Sequence, residues 1–307
     1  MRKKLAILIV PSCVALAGCS GGGGGGGAAS GGASPLAFTS FSAVPKPGTV
    51  EITGTTLEGT YASNSSFLVT SGTGPTAGSG KVTATYDAAG NQTAVTVAGS
   101  QSSVSFSTTD GSTATRLTSA GAPGAILAVS ANGRNAAVSA DQNYMGFSYQ
   151  TFGIWETGLG TQSGAYGATS VGAATAGASI PTTGTATFTG VAGGGYIDAT
   201  GANYLAAGDA SLNANFGTRS VSLATTNTSK LNASTLAVTT AANLNLSGTL
   251  TYAAGANSLS GTVSTADGMT GQVNGRFYGP SATEIGGTFA TAGTGVKMYG
   301  GGYGAKR

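Results

Sequence analysis

Short alternations of apolar and polar residues, broken by glycine and small polar residues, run along the chain from Phe38 onward. Val82, Ala84 and Tyr86 share one parity and are answered by the apolar run 94–97. The 87–91 segment between them, Asp-Ala-Ala-Gly-Asn, reads as a hairpin loop. Val50-Glu51-Ile52 alternates, and Phe67-Leu68-Val69 is a short apolar run. Asn132-Gly133 separates two further apolar runs and suits a type I′ turn, which needs positive φ at both central positions. These signals predict a mainly antiparallel β region up to about residue 140.

The second half alternates more cleanly. Leu244, Leu246, Gly248, Leu250 and Tyr252 fall on one parity, as do Met269, Gly271, Val273, Gly275 and Phe277. The opposite parity of the latter run is Thr270, Gln272, Asn274, Arg276 and Tyr278, which predicts one buried and one wet face. Glycines share the buried face with large residues, as a tightly curved small barrel requires. Residues 218–247 lack Gly and Pro and leave a short helix near 228–236 open against strand and loop. Between the halves, Tyr144, Phe147, Tyr149, Phe152, Ile154 and Trp155 form an aromatic-rich segment. A strand apolar on both faces there suits a place between two β units. Tyr144, Tyr149 and the sole tryptophan, Trp155, are the ligand-contact candidates, because Trp and Tyr are enriched at binding hot spots.

Composition supports strands over helices. Glycine accounts for 54 of 307 residues, and charged residues for only 7%, against about 25% in typical domains. Such a chain lacks the salt-bridged amphipathic faces of a helical bundle.

The amino terminus changes the charge reading. Arg2, Lys3 and Lys4 precede an apolar run at 5–17 that is too short to span a bilayer as a mature helix. Leu16-Ala17-Gly18-Cys19 follows and resembles the lipobox of bacterial lipoproteins. That resemblance implies cleavage after Gly18 and acylation of Cys19. With residues 1–18 removed, the remaining basic and acidic residues balance, so no basic stripe marks a nucleic-acid partner. Cys13 leaves with the leader and Cys19 carries lipid, so no disulfide is expected. Residues 19–35, rich in Gly and Ser, read as a lipidated tether. Ser20 after the cysteine implies, by the same resemblance, the outer membrane.

The 273–289 segment carries a longer likeness. Gly275, Phe277, Tyr278, Gly279, Pro280, Ala282, Glu284, Gly286, Gly287 and Phe289 match a pattern of the form Gly-x-Phe-Tyr-Gly-Pro-x-Ala-x-Glu-x-Gly-Gly-x-Phe. It resembles a signature of the transferrin-binding protein B β-barrel domain, and residues 180–190 resemble a more divergent strand of that barrel. The resemblance implies an all-β protein: a β-rich handle-like domain at 36–142, then an antiparallel barrel of about eight strands at 143–307. It also implies a surface-exposed outer-membrane lipoprotein that binds a host protein or an iron or haem carrier and works with an outer-membrane transporter. An envelope protein with a structural or adhesive role is the alternative. Mechanically, Phe277 and Phe289 should point into the barrel, Pro280 suits the first turn of a short helix, and Ser281-x-x-Glu284 has capping-box spacing.

Catalytic chemistry has little to work with. The chain has no histidine, which removes Ser-His-Asp and Cys-His arrangements. The acidic residues form no calcium-loop pattern. Gly193-Gly194-Gly195 lacks the Lys-Ser/Thr of a phosphate loop. The sequence therefore points to a binding protein rather than an enzyme, with no cofactor and no metal.

Overall fold

A computed structural model describes residues 36–117, 124–232, 235 and 237–307. Cys19, its leader and its tether lie outside the described residues. The strands are β1 (Leu36–Ala37), β2 (Gly48–Ser63), β3 (Val69–Gly72), β4 (Thr76–Tyr86), β5 (Gln92–Ala98), β6 (Ser103–Ser107), β7 (Thr113–Leu117), β8 (Ala125–Val129), β9 (Asn135–Ala140), β10 (Gln150–Thr157) and β11 (Ser163–Gly172). A one-turn helix, α1 (Gln142–Met145), precedes β10. There follow β12 (Thr185–Ile197), β13 (Asn203–Asn215), β14 (Ser220–Asn232), β15 (Val238–Thr240), β16 (Leu246–Thr251), β17 (Leu259–Thr265), β18 (Thr270–Tyr278), β19 (Glu284–Ala292) and β20 (Met298–Lys306).

The second group closes into a barrel. Its order is β13-β12-β20-β19-β18-β17-β16-β14, and β14 returns to pair with β13. All eight strands are antiparallel to their neighbours, so the barrel leaves no open edge. The expected inward parity holds: Val273, Phe277 and Phe289 are fully buried inside. Phe277 sits at the centre of a ring cluster, with centroids 6.1 Å from Phe188, 5.8 Å from Phe216 and 5.5 Å from Tyr252. Each such ring contributes about 1.5–3 kcal/mol by leaving water. Most of the ambiguous 218–247 segment is strand, in β14 and β15, with a 3-10 turn at Ala242–Leu244.

The first group forms a curled sheet in the order β6-β5-β4-β2-β11-β10-β9-β8-β7. Its edge strands β6 and β7 come close without hydrogen-bonding to each other. The concave side gathers Val97, Val104, Phe106, Ala128 and Trp155. The convex side lies on the barrel wall, where Phe152 and Ile154 pack with Val191, Leu205 and Leu231.

Two expectations need correction. Segment 150–172, placed with the barrel at 143–307, is hydrogen-bonded into the first sheet, with β10 against β9 and β11 against β2. A segment apolar on both faces says that it is covered twice, and not which sheet it pairs with. The Asn132-Gly133 turn is also not type I′. Gly133 has φ of 66°, while Asn132 is absent from the positive-φ residues, and Gly133 N donates to Ser130 O across a longer loop. The 87–91 hairpin loop is present, closed by Asp87 N to Asn91 O at 3.0 Å.

Candidate binding site at the joint of the two β units

The signature segment turns out to be the fastening between sheet and barrel. Pro280 opens a short 3-10 turn, as expected, but its cap is Gly279 and no side chain closes it. Glu284 makes no capping box. Its carboxylate crosses to the first sheet and accepts from Ser148 N (2.6 Å) and Tyr149 N (3.1 Å), with Gln150 N also bonded. Burial pushes its pKa up, opposed by these N–H donors and by Lys306.

Tyr278 lies on the parity expected to be wet, yet it is fully buried. Its hydroxyl meets Ser170 Oγ at 3.1 Å. Thr175 Oγ1 donates to Gly279 O at 2.6 Å. The wet face survives only at the far end of β18, where Thr270 and Gln272 are exposed. The joint fits because β20 shows no side chain there. A Cβ on Gly302 would stand 2.9 Å from the Phe152 ring, and one on Gly304 would stand 2.5 Å from the Gln150 amide. The Gln150 amide is fully buried, and neither of its polar atoms has a hydrogen-bond partner among the described residues.

Beside this fastening, the joint encloses a cavity of about 70 Å³. Leu57, Tyr166, Ile197, Leu205 and Met298 line it, and Gly300 and Gly301 form its barrel wall. Its single ionisable acid is Glu156, at the end of β10. Burial pushes Glu156 up to about 7, with hydrogen bonds to Tyr61 and Asn203 opposing the rise. Burial likewise raises Tyr166 to about 12. The cavity offers apolar surface, one near-neutral carboxyl and phenol hydroxyls. Among its described lining residues no nucleophile is paired with a base.

The three aromatic candidates do not converge. Tyr144 on α1 stacks over Gly124, and Tyr149 covers Gly279. Trp155 is buried on the concave side of the sheet, and its indole N–H has no partner among the described residues. Sequence reasoning missed Tyr61, Glu156 and Asn203. They come from three strands far apart in the chain, and no local spacing connects them. Among the described residues no group of three or more His, Cys, Asp or Glu could hold a metal ion, and no helix is long and apolar enough to cross a membrane.

Glu156 supplies a pH prediction. Its folded pKa lies above the ordinary 4.5, so the folded state holds a proton that the unfolded chain has lost between about pH 4.5 and 7. Stability from this group therefore falls as pH rises through that window. Glu156→Gln should leave the melting temperature unchanged near pH 4 and raise it above pH 7 relative to the parent. Equal shifts at both pH values, read by thermal melts followed by circular dichroism, would contradict a buried, proton-holding Glu156.

An eight-stranded barrel with a curled sheet fastened to its wall by a buried Tyr, Glu and glycine seam defines the class: a two-unit, all-β protein of handle-and-barrel build. Residues 180–307 match the family described as the C-lobe and N-lobe beta barrels of Tf-binding protein B, and the chain is transferrin-binding protein B-like there. Solved structures that the chain matches include the transferrin-binding protein B mutant Trp-176-Ala of Haemophilus parasuis Hp5. It is 11% identical, with 86% of this chain and 77% of that one covered at a TM-score of 0.38. Intact Ap-TbpB, with N and C lobes, is 11% identical over 86% and 79% at 0.41. The isotype 1 protein of serogroup B Neisseria meningitidis is 12% identical over 85% and 77% at 0.36. No curated protein is a significant match.

Proposed function

We propose that this protein is an outer-membrane lipoprotein, displayed at the cell surface on the 19–35 tether and held by acyl groups on Cys19. Its two β units bind a ligand of the class its family handles, a host protein or a carrier of iron or haem, for delivery to an outer-membrane transporter. The family match of the barrel carries this reading. The acyl-free protein, beginning at Ser20, should bind one of iron-loaded transferrin, haemoglobin or haemin saturably by surface plasmon resonance. A folded protein that binds none of the three would overturn the reading.

The charge-poor composition favours a second reading, an envelope protein with a structural or adhesive role. A deletion strain separates the two: loss of adhesion or envelope integrity with unchanged nutrient uptake supports the second, and an uptake defect alone supports the first. The anchor has its own test. Cys19→Ala should yield an unacylated precursor that takes up no radiolabelled palmitate. Normal labelling of that variant would place the lipid elsewhere.

A further inference from the structure

The concave side of the curled sheet is independent of the joint. Register fixes which side chains face into it. Ile52 of β2 stands opposite Val82 of β4, and Val82 opposite Val97 of β5. Across the sheet, Ala128 of β8 stands opposite Ala137, and Ala137 opposite Trp155. These side chains enclose an apolar cavity of about 80 Å³, room for roughly three water-sized groups. Small residues leave that space open: Gly153, Ala128 and Ala137 all face it. Val82, Val95 and Ile126 remain only partly buried around it.

One end of this cup is shut. Glu58 is buried there, and its carboxylate accepts from Ser100 Oγ, Gln101 N and Ser102 Oγ at 2.7–2.9 Å. The other end widens into a polar mouth of about 410 Å³ bordered by Lys46, Arg116, Gln92, Gln142 and Asn143. Phe41 and Tyr86 line both mouth and cavity and join one to the other.

The mouth carries one cation without an ion pair among the described residues, Lys46. Arg116 Nε is ion-paired with Asp141 Oδ2 at 2.5 Å, and Asp141 also accepts from Asn143 N. Asp87, in the β4–β5 loop beside the mouth, spends its carboxylate on Asn91 N and Nδ2. The mouth thus holds two cations, Lys46 and Arg116, with two acids beside them: Asp141, paired with Arg116, and Asp87, held by Asn91. Arg116 stands in register with Ile126, and Ala114, one layer deeper at about 7 Å, stands in register with Ala128. That deeper layer also holds Trp155.

We propose that the curled sheet is a binding cup for an amphipathic monoanion, a medium-chain carboxylate. Its head lies at Lys46 and Arg116, and its last few methylenes lie between Val82, Val97, Ala128 and Trp155. Lys46 at the mouth, without an ion pair among the described residues, and the buried Glu58 carboxylate at the shut end set the direction, with hydrocarbon between them. Size sets the class. The inner cavity takes about three carbons, and the mouth takes the rest of the chain and the head.

The sole tryptophan of the chain lies in the cup wall and reports on its occupancy. Titrating the acyl-free protein with octanoate, well below its micelle concentration, should give a saturable change in Trp155 emission. Octanamide and octylamine should bind roughly tenfold more weakly, the scale of one lost charge-assisted hydrogen bond. Lys46→Gln should weaken octanoate by a similar factor and leave octanamide unchanged. Ala137→Leu, which fills the cavity, should abolish the response to octanoate while the far-ultraviolet circular dichroism stays native. Ala128→Leu serves in the same role if that variant fails to fold. Absence of a saturable response to octanoate overturns the proposal. Equal binding of octanoate and octylamine, or a Lys46→Gln variant that binds octanoate as the parent does, overturns the anionic assignment.

Discussion

Tyr278→Ala should destabilise the protein by about 3–5 kcal/mol, as much as Phe277→Ala. The two residues are neighbours on β18 with opposite parity, and both are fully buried. Phe277→Ala empties the centre of the barrel's ring cluster. Tyr278→Ala removes a ring from the joint and strands Ser170 Oγ, which now meets the phenol at 3.1 Å. Tyr278→Phe keeps the ring and should cost only about 1 kcal/mol, the ordinary worth of one hydrogen bond. Losses of this size are a large part of the 5–15 kcal/mol that holds a typical domain. Urea denaturation of the acyl-free variants measures them. A Tyr278→Ala variant within about 0.5 kcal/mol of the parent, the scale of a surface substitution, would mean that sheet and barrel are not packed together in solution.

The second large effect belongs to Glu284. Glu284→Ala withdraws the acceptor from Ser148 N and Tyr149 N and leaves those donors without a partner, at a cost of about 2–5 kcal/mol. Glu284→Gln keeps one carbonyl oxygen and should lose roughly half as much. Ser281→Ala should stay within about 0.5 kcal/mol, because the Ser281 side chain takes no part in capping. Amide hydrogen exchange locates the effect. Protection at 148–150 should drop in Glu284→Ala while protection inside β16 and β17 is kept. A large loss in Ser281→Ala would restore the capping-box reading.

Much of the barrel was legible in the chain. The parity of 269–277, the glycines mixed into it and the signature at 275–289 led to the right inward face and the right strand neighbours. The outward face was not legible at Tyr278. Alternation tells which residues share a side of a strand, and says nothing about what a second unit covers later. The same gap misplaced β10 and β11. Residues 147–155 carried the signal of double burial, but not the partners: β10 pairs with residues 10 to 22 positions away, and β11 with residues of β2 101 to 117 positions away. Glu284 shows a subtler failure. Its spacing from Ser281 fitted a local cap, and a long-range acceptor role won because three backbone N–H groups of the opposing sheet converge there. Of the residues lining the joint pocket, Ile154 and Phe289 were visible in advance. Tyr61, Glu156 and Asn203 carry no pattern until the fold brings them together.

The position of β20 has a consequence for biosynthesis. This strand lies in the middle of the barrel order, hydrogen-bonded along its length to β12 on one side and β19 on the other, and its glycines form the seam that receives Phe152 and Gln150. The wall cannot close, nor the curled sheet seat itself, until residues 298–306 have emerged. Without β20, β12 and β19 each keep one open edge, and closure of the barrel awaits that strand. A chain lacking residues 298–306 would expose those two edges, and exposed strand edges are templates for pairing with other chains.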